Sequence, residues 1–122
     1  MPTLLQINTS VNSGSTGRIA EQIGTFVQDH NWNSYIAYGR RNNNSRSTVV
    51  KIGNAADIGF HLAMTRLLDR HGLASKKATI NFLKEIIKIK PDIIHLHNIH
   101  GYFINYPALF KFLDAENIPV VW

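Results

Sequence analysis

Short apolar runs alternate with segments of helical period along the whole chain, and this alternation constrains the fold more than any other feature. Leu4, Leu5 and Ile7 make a run bounded by turn residues, as a buried strand does. Ile19, Ile23, Phe26 and Val27 then recur at i, i+4, i+7 and i+8, the spacing of one helical face, with Ser15 or Thr16 placed to cap it. The aromatic, β-favouring "SYIAYG" reads as a second strand, "RRNNNSRS" as a polar loop and "TVVKIG" as a third strand. Over 58–71, Phe60, Met64, Leu67 and Leu68 share a helical face, and Gly72 supplies the stop. Ser75 caps a further helix with Ile80, Leu83, Ile86 and Ile87 inward, and Pro91 ends it. "DIIHLHN" is a fourth strand. Pro107 opens a last helix with Leu109, Phe112 and Leu113 on one face, and "PVVW" opens a fifth strand after Asn117 and Pro119.

Strands that alternate with helices predict an α/β fold: a Rossmann-like, three-layer domain with a mainly parallel sheet and right-handed crossovers. The expected strand order is 3-2-1-4-5. In such a sheet ligands sit beyond the carboxyl ends of the strands, where the order reverses, here between the first and fourth strands. The loop "NTSVNSGSTGR" follows the first strand and "HLHNIHG" follows the fourth, so topology alone brings two unusual segments together.

In the loop, Gly14 and Gly17 would let backbone N–H groups approach a phosphate, with Arg18 in the first helical turn. The glycine spacing matches neither the dinucleotide fingerprint nor the P-loop, and a tight strand-to-helix turn accounts for the same residues without a ligand. In the second segment Ile93, His95 and His97 share one face of a strand, and Ile94 and Leu96 the other. His95 lies deep in the strand and reads as a hydrogen-bonded core histidine. His97 and His100 lie at its carboxyl end, where imidazole can act on a hydroxyl or bind phosphate. Tyr102, Asn105 and Tyr106 suit a sugar site or an ordinary loop. No carboxylate follows closely, which argues against a metal. Asp69, Arg70 and His71 read as a helix end that complements the dipole.

With 122 residues, 44% of them hydrophobic and 17% charged, the chain suits one domain with one core. The absence of cysteine excludes disulfides and thiolate metal sites and fits a reducing compartment. No apolar run approaches the roughly 20 residues that cross a bilayer, and the start lacks the pattern of a secretory signal, so a soluble, cytoplasmic chain is expected. A net charge of +5 favours phosphates, nucleic acid or an anionic membrane face. Its clusters, Lys76, Lys77, Lys84, Lys88 and Lys90 against Glu85, and Arg40, Arg41 and Arg46 in the polar loop, read as solvated surface. Only Phe82 is interleaved with them, which argues against nucleic acid as a partner.

The segments "LLQINTSVNSGSTGRIA" and "KPDIIHLHNIHGYFIN", with "IPVVW" after a helix, resemble the amino-terminal half of bacterial family 4 glycosyltransferases, most of all those of capsular or exopolysaccharide clusters. The resemblance covers nearly the whole chain. It implies a two-domain GT-B enzyme, metal-independent and retaining, that moves a sugar from a nucleotide-diphosphate sugar to a glycan or lipid-linked acceptor. Residues 1–122 would be its single Rossmann-like, acceptor-side domain, with the carboxyl-terminal donor domain absent. Gly14, Ser15, Thr16, Gly17 and Arg18 then match the donor-diphosphate loop, and His97, His100, Tyr102 and Asn105 the acceptor side. These relatives place a key histidine just after the strand that begins here at Pro119, beyond Trp122, so the chain alone is expected to be inactive. The implied partners are the nucleotide sugar, the acceptor, the enzyme's own second domain and a peripheral contact with the inner membrane, with no cofactor.

A flavodoxin-like FMN-binding electron carrier is the alternative. "SGSTGR" resembles its S-x-T-G-x-T phosphate loop, although Ile19 takes the place of the final threonine. A response-regulator-like module needs acids after the first strand, where Asn8, Thr9 and Ser10 stand.

Overall fold

Five strands form one all-parallel sheet in the computed structural model, which describes residues 1–53, 76–99 and 103–122. In chain order they are β1 (Thr3–Val11), β2 (Asn33–Asn42), β3 (Thr48–Lys51), β4 (Ile93–Leu96) and β5 (Val120–Val121). The described helices are α1 (Gly14–Asp29), α2 (Lys76–Ile89) and α3 (Tyr106–Ala115). The sheet order is β3-β2-β1-β4-β5, as the alternation predicts. It differs from the 2-1-3-4-5 order of flavodoxin-like sheets, in which the first strand separates the second from the third. The helix expected over 58–71, with its Asp69, Arg70 and His71 end, and the Ser75 cap lie outside the described residues.

The main core fills one face of the sheet. Leu5, Ile7, Ile94 and Leu96 point there and pack with Phe82 and Ile86 of α2 and Leu109 and Leu113 of α3. In α2 the inward residues are Ala78, Thr79, Phe82 and Ile86. Ile80 and Ile87, expected inward, are 42% and 56% exposed, because the stripe that meets the sheet is centred one position away from them. Pro107 stands in the first turn of α3 as expected, where its missing N–H costs nothing.

The opposite face carries α1, and here the expected orientation is corrected. The buried residues of α1 are Gly17, Ala20 and Gly24, while Ile19 and Phe26 are 48% and 62% exposed. Small residues at i, i+3 and i+7 let the helix backbone lie close on the sheet. A Cβ on Gly24 would come within 2.9 Å of Ser34 Oγ and within 2.5 Å of Ser47 Oγ. That approach leaves no room for a large apolar stripe underneath.

No helix connects β2 to β3. The polar segment 43–47 runs back along α1 and is pinned to it. Glu21 accepts from Ser45 Oγ and from the Arg46 N–H, Gln28 Nε2 donates to the Arg46 carbonyl, and the Arg46 guanidinium meets Asp29 at 3.3 Å. Two asparagines close the top of the same seam: Asn12 Nδ2 donates to the Asn44 carbonyl and Asn43 Nδ2 to the Asn12 carbonyl.

Candidate functional site

The carboxyl end of β1 stays in the sheet although its sequence turns polar. Asn8, Thr9 and Ser10 extend the strand beyond the apolar run because each finds a partner there. The fully buried Asn8 donates from Nδ2 to the Ser10 carbonyl at 3.0 Å and accepts the Asn98 N–H on Oδ1 at 3.1 Å. Thr9 Oγ1 donates to the Asn98 carbonyl at 3.0 Å. The segment after β4 is thereby fastened to β1, and the switch point between the two strands is closed by side chains.

Beyond Val11 the chain turns sharply into α1. Asn12 has φ +47° and Gly14 φ +70°, and Ser10 Oγ donates to the Ser13 carbonyl at 2.7 Å. Ser13 precedes the helix in extended conformation without a side-chain capping bond, and the first turn contains no acid. The helix's own first turn therefore supplies no carboxylate to neutralise the positive end of its dipole.

Strand β2 supplies the other wall. Asn8 lies opposite Tyr38 and Ser10 opposite Arg41, so two steps along β1 are matched by three along β2. This bulge re-aims the end of the strand. It keeps Arg40 and Arg41 in β2, where the sequence reads loop, and sets them against the turn into α1. Gly39 precedes them because a Cβ there would fall on the Phe103 ring.

Between these walls lies a cavity of 320 Å³. Thr9, Ser10 and Ser13 line it from β1 and the turn, and Gly14, Ser15 and Thr16 from the start of α1. Arg40, Arg41 and Asn98 complete it. Its chemistry is hydroxyl, amide and guanidinium, and none of these residues is acidic.

Of the expected loop residues, Gly14, Ser15 and Thr16 line the cavity, whereas Gly17 and Arg18 do not. Gly17 is buried against β1: a Cβ would stand 3.0 Å from Ser10 Oγ and 3.3 Å from the Asn12 nitrogen. Arg18 is exposed. Gly14 has open space where its Cβ would be. Arg40, Arg41, Thr9 and Asn98 were not legible as site residues from motifs. A usable signal existed in the topology, since the end of β2 and the segment after β4 flank the carboxyl end of β1, where the turn into α1 begins.

His97 follows β4 but turns its ring to the sheet. Its Nε2 lies 2.7 Å from Gln6 Oε1, and the buried Gln6 donates from Nε2 to the Ala20 carbonyl at 2.8 Å. That network makes Gln6 Oε1 the acceptor, so His97 Nε2 bears the proton. The His95 ring stacks on it with centroids 4.0 Å apart. Burial, with the neighbouring His95, lowers the His97 pKa to about 4, and burial lowers that of His95. His97 is thus a neutral imidazole at physiological pH. Asn105 caps α3, its Oδ1 accepting from the Ala108 N–H at 3.2 Å while its own N–H donates to Thr79 Oγ1. Neither residue lines the cavity. His100 and Tyr102 lie outside the described residues. Among the described residues no group of three or more possible metal ligands occurs, and no helix is long and apolar enough to cross a membrane.

No protein-family model matches the chain, and no curated protein or solved structure matches it at a significant level.

Proposed function

We propose that the chain is the acceptor-side domain of a metal-independent glycosyltransferase, which moves a sugar from a nucleotide-diphosphate sugar to a glycan or lipid-linked acceptor in surface polysaccharide synthesis. The observation that carries the reading is the cavity beside the switch point, whose described lining residues include no acid and which is walled by the start of α1 and by Arg40 and Arg41. When the bond between sugar and diphosphate breaks, negative charge grows on the leaving diphosphate. Preorganised N–H donors and guanidinium groups placed there stabilise that charge more in the transition state than in the ground state. A second domain would bring the rest of the nucleotide sugar to the open side of the cavity, and the acceptor hydroxyl would attack from the β4 side. The strand order supports this reading over the flavodoxin-like one, whose sheet is threaded differently.

The test is a transfer assay on the protein that carries this domain, using a panel of nucleotide-diphosphate sugars and lipid-linked glycans extracted from a polysaccharide-producing bacterium. Nucleoside diphosphate release matched by glycosylated acceptor, and undiminished by a metal chelator, is expected. A yellow protein with tightly bound flavin and no turnover of any nucleotide sugar would overturn the proposal.

A further inference from the structure

The lysines of α2 read from the sequence as plain solvated surface, yet the helix presents them beside apolar residues that the core does not take. α2 turns Ala78, Thr79, Phe82 and Ile86 to the sheet. On its outward face Ile80 and Ile87 lie two turns apart, 42% and 56% exposed, and neither joins the core. Lys84 stands between them, four residues after Ile80 and three before Ile87, and the exposed Lys77 and Lys88 extend the same face in both directions. Lys90, also exposed, follows the end of the helix. Over 76–90 five lysines stand against one acid. That acid, Glu85, lies at the edge of the face, 3.4 Å from Lys88. Next to Ile87 the surface dips into a cavity of 310 Å³ between the ends of α2 and α3. Ile86, Phe112 and Ile118 line it, with Lys90 and Glu116 as its charged residues.

We propose that the outward face of α2 docks on an anionic lipid surface, with Lys77, Lys84 and Lys88 against headgroup phosphates and Ile80 and Ile87 pressed into the interface. Charge complementarity selects this occupant. A bilayer that contains anionic lipid offers negative charge with an apolar layer beneath it, and this face carries the two matching chemistries side by side. Lysine suits the geometry, since its apolar stem lies along the interface while the ammonium reaches the headgroups. An acidic glycan would account for the lysines and leave both isoleucines in water. α1 exposes Ile19 and Phe26 as well, but its charged residues are Arg18, Glu21 and Asp29, so it lacks the cationic complement. The inference stands on α2 alone and goes beyond the transferase reading, which concerns the cavity beside α1.

The 122-residue chain, sedimented with vesicles of phosphatidylcholine alone and of phosphatidylcholine and phosphatidylglycerol in equal parts, tests it. The chain binds the mixed vesicles and not the neutral ones, and added salt weakens the binding. Lys77→Gln and Lys84→Gln each lower the partition coefficient about fivefold, the worth of one lysine at an anionic surface. Lys88→Gln lowers it less, because Glu85 already offsets that charge. Ile80→Ser and Ile87→Ser each lower it about fivefold through the apolar area no longer buried. Arg18→Gln and Ile19→Ser on α1 keep it within about twofold, the scale of a screened charge away from the contact. All these positions are exposed, and circular dichroism checks that each variant keeps the fold. The chain has no cysteine, so Ile87→Cys and Phe26→Cys each carry a single polarity-sensitive dye. On mixed vesicles the emission from position 87 shifts to the blue and that from position 26 does not. Equal losses in the lysine variants and in Arg18→Gln would mean that net charge alone attracts the chain. Binding to polyglutamate but to neither kind of vesicle would give the face to an acidic macromolecule. Binding to mixed vesicles without a shift at position 87 would place the contact on another surface. Each of these results overturns the proposal, as does equal binding to the two kinds of vesicle.

Discussion

Three glycines around the cavity look alike in the sequence and do three different things. Gly14 is there for its φ of +70°, with open space beyond it, so Gly14→Ala costs about 1–2 kcal/mol in backbone strain and creates no clash. Gly17 has ordinary backbone angles and is there for the tight contact with Ser10 and Asn12. Gly17→Val is expected to destabilise by about 1–3 kcal/mol through overpacking, and its loss of function would report a displaced helix. Gly39→Ala drives a methyl group into the Phe103 ring and is expected to be the most damaging of the three. Urea midpoints should rank the variants Gly14→Ala above Gly17→Val above Gly39→Ala, and a reversed order would contradict these assignments. The spacing of Gly14 and Gly17 was legible as a strand-to-helix turn. Which one lines the cavity was not, because that depends on Ser10 folding back beneath the helix. His97 adds a pH signature. Its folded pKa of about 4 lies below the ordinary 6.5, so the unfolded chain binds more protons between those values and stability rises with pH across that window. The contribution is complete above about pH 6.5 and lost as pH falls toward 4. His97→Gln should flatten this part of the stability profile relative to wild type, and an unchanged slope would show that the ring titrates normally.

At the scale of elements, the order of strands and helices was legible because apolar runs and helical periods are written locally. Faces and ends were less so. The large apolar residues of α1 suggested an inward stripe, yet the helix buries its smallest residues, since Gly17, Ala20 and Gly24 allow closer approach than Ile19 or Phe26. Likewise β2 runs on through Arg40 to Asn42, past the apparent end of its β-favouring stretch, because pairing with Ser10 and Val11 holds it in the sheet. The helix-free connection over 43–47 depends on the flank of α1, and Glu21 is its principal anchor. Glu21→Ala removes acceptors for Ser45 and Arg46 and is expected to cost about 1–3 kcal/mol. It should also broaden the amide resonances of 45–46 while leaving β4 and α3 unchanged. Uniform broadening across the sheet would show that Glu21 supports more than this seam. Asn105 supplies a second test at this scale. As the cap of α3, it tolerates Asn105→Asp, whereas Asn105→Ala costs about 1 kcal/mol of stability. An alanine variant with full stability but weaker acceptor use would instead assign Asn105 to a sugar site.

Across the whole molecule, stability falls from the centre of the sheet to its edges. β1 is paired on both sides, with Leu4, Leu5, Gln6 and Ile7 matched to β2 and to β4 together, and Leu5, Gln6 and Ile7 are fully buried. Both layers of helices press on it, α1 from one side and the α2–α3 core from the other. β5 is the opposite case. It pairs only through Val120 and Val121 with Ile94 and His95, and its outer edge has no strand partner among the described residues. Val120 and Val121 are exposed, and Trp122, 71% exposed, touches Phe110 across an apolar cleft of 530 Å³ between α3 and β5. A short, open edge strand over a cleft can detach without disturbing the core, so it opens at a small fraction of the free energy of global unfolding. Native-state hydrogen exchange should find the slowest amides at Leu5, Gln6 and Ile7, exchanging only through global unfolding. Val121 should exchange orders of magnitude sooner, with a small dependence on urea, because its opening exposes little surface. Tyr38 and Val50, at the β2–β3 edge, should fall between, since that edge is held by the seam along α1 as well as by its strand pairing. Equal protection of Val121 and Ile7, with the same urea dependence, would mean that the sheet opens as one unit and that β5 is anchored by more than its two paired residues.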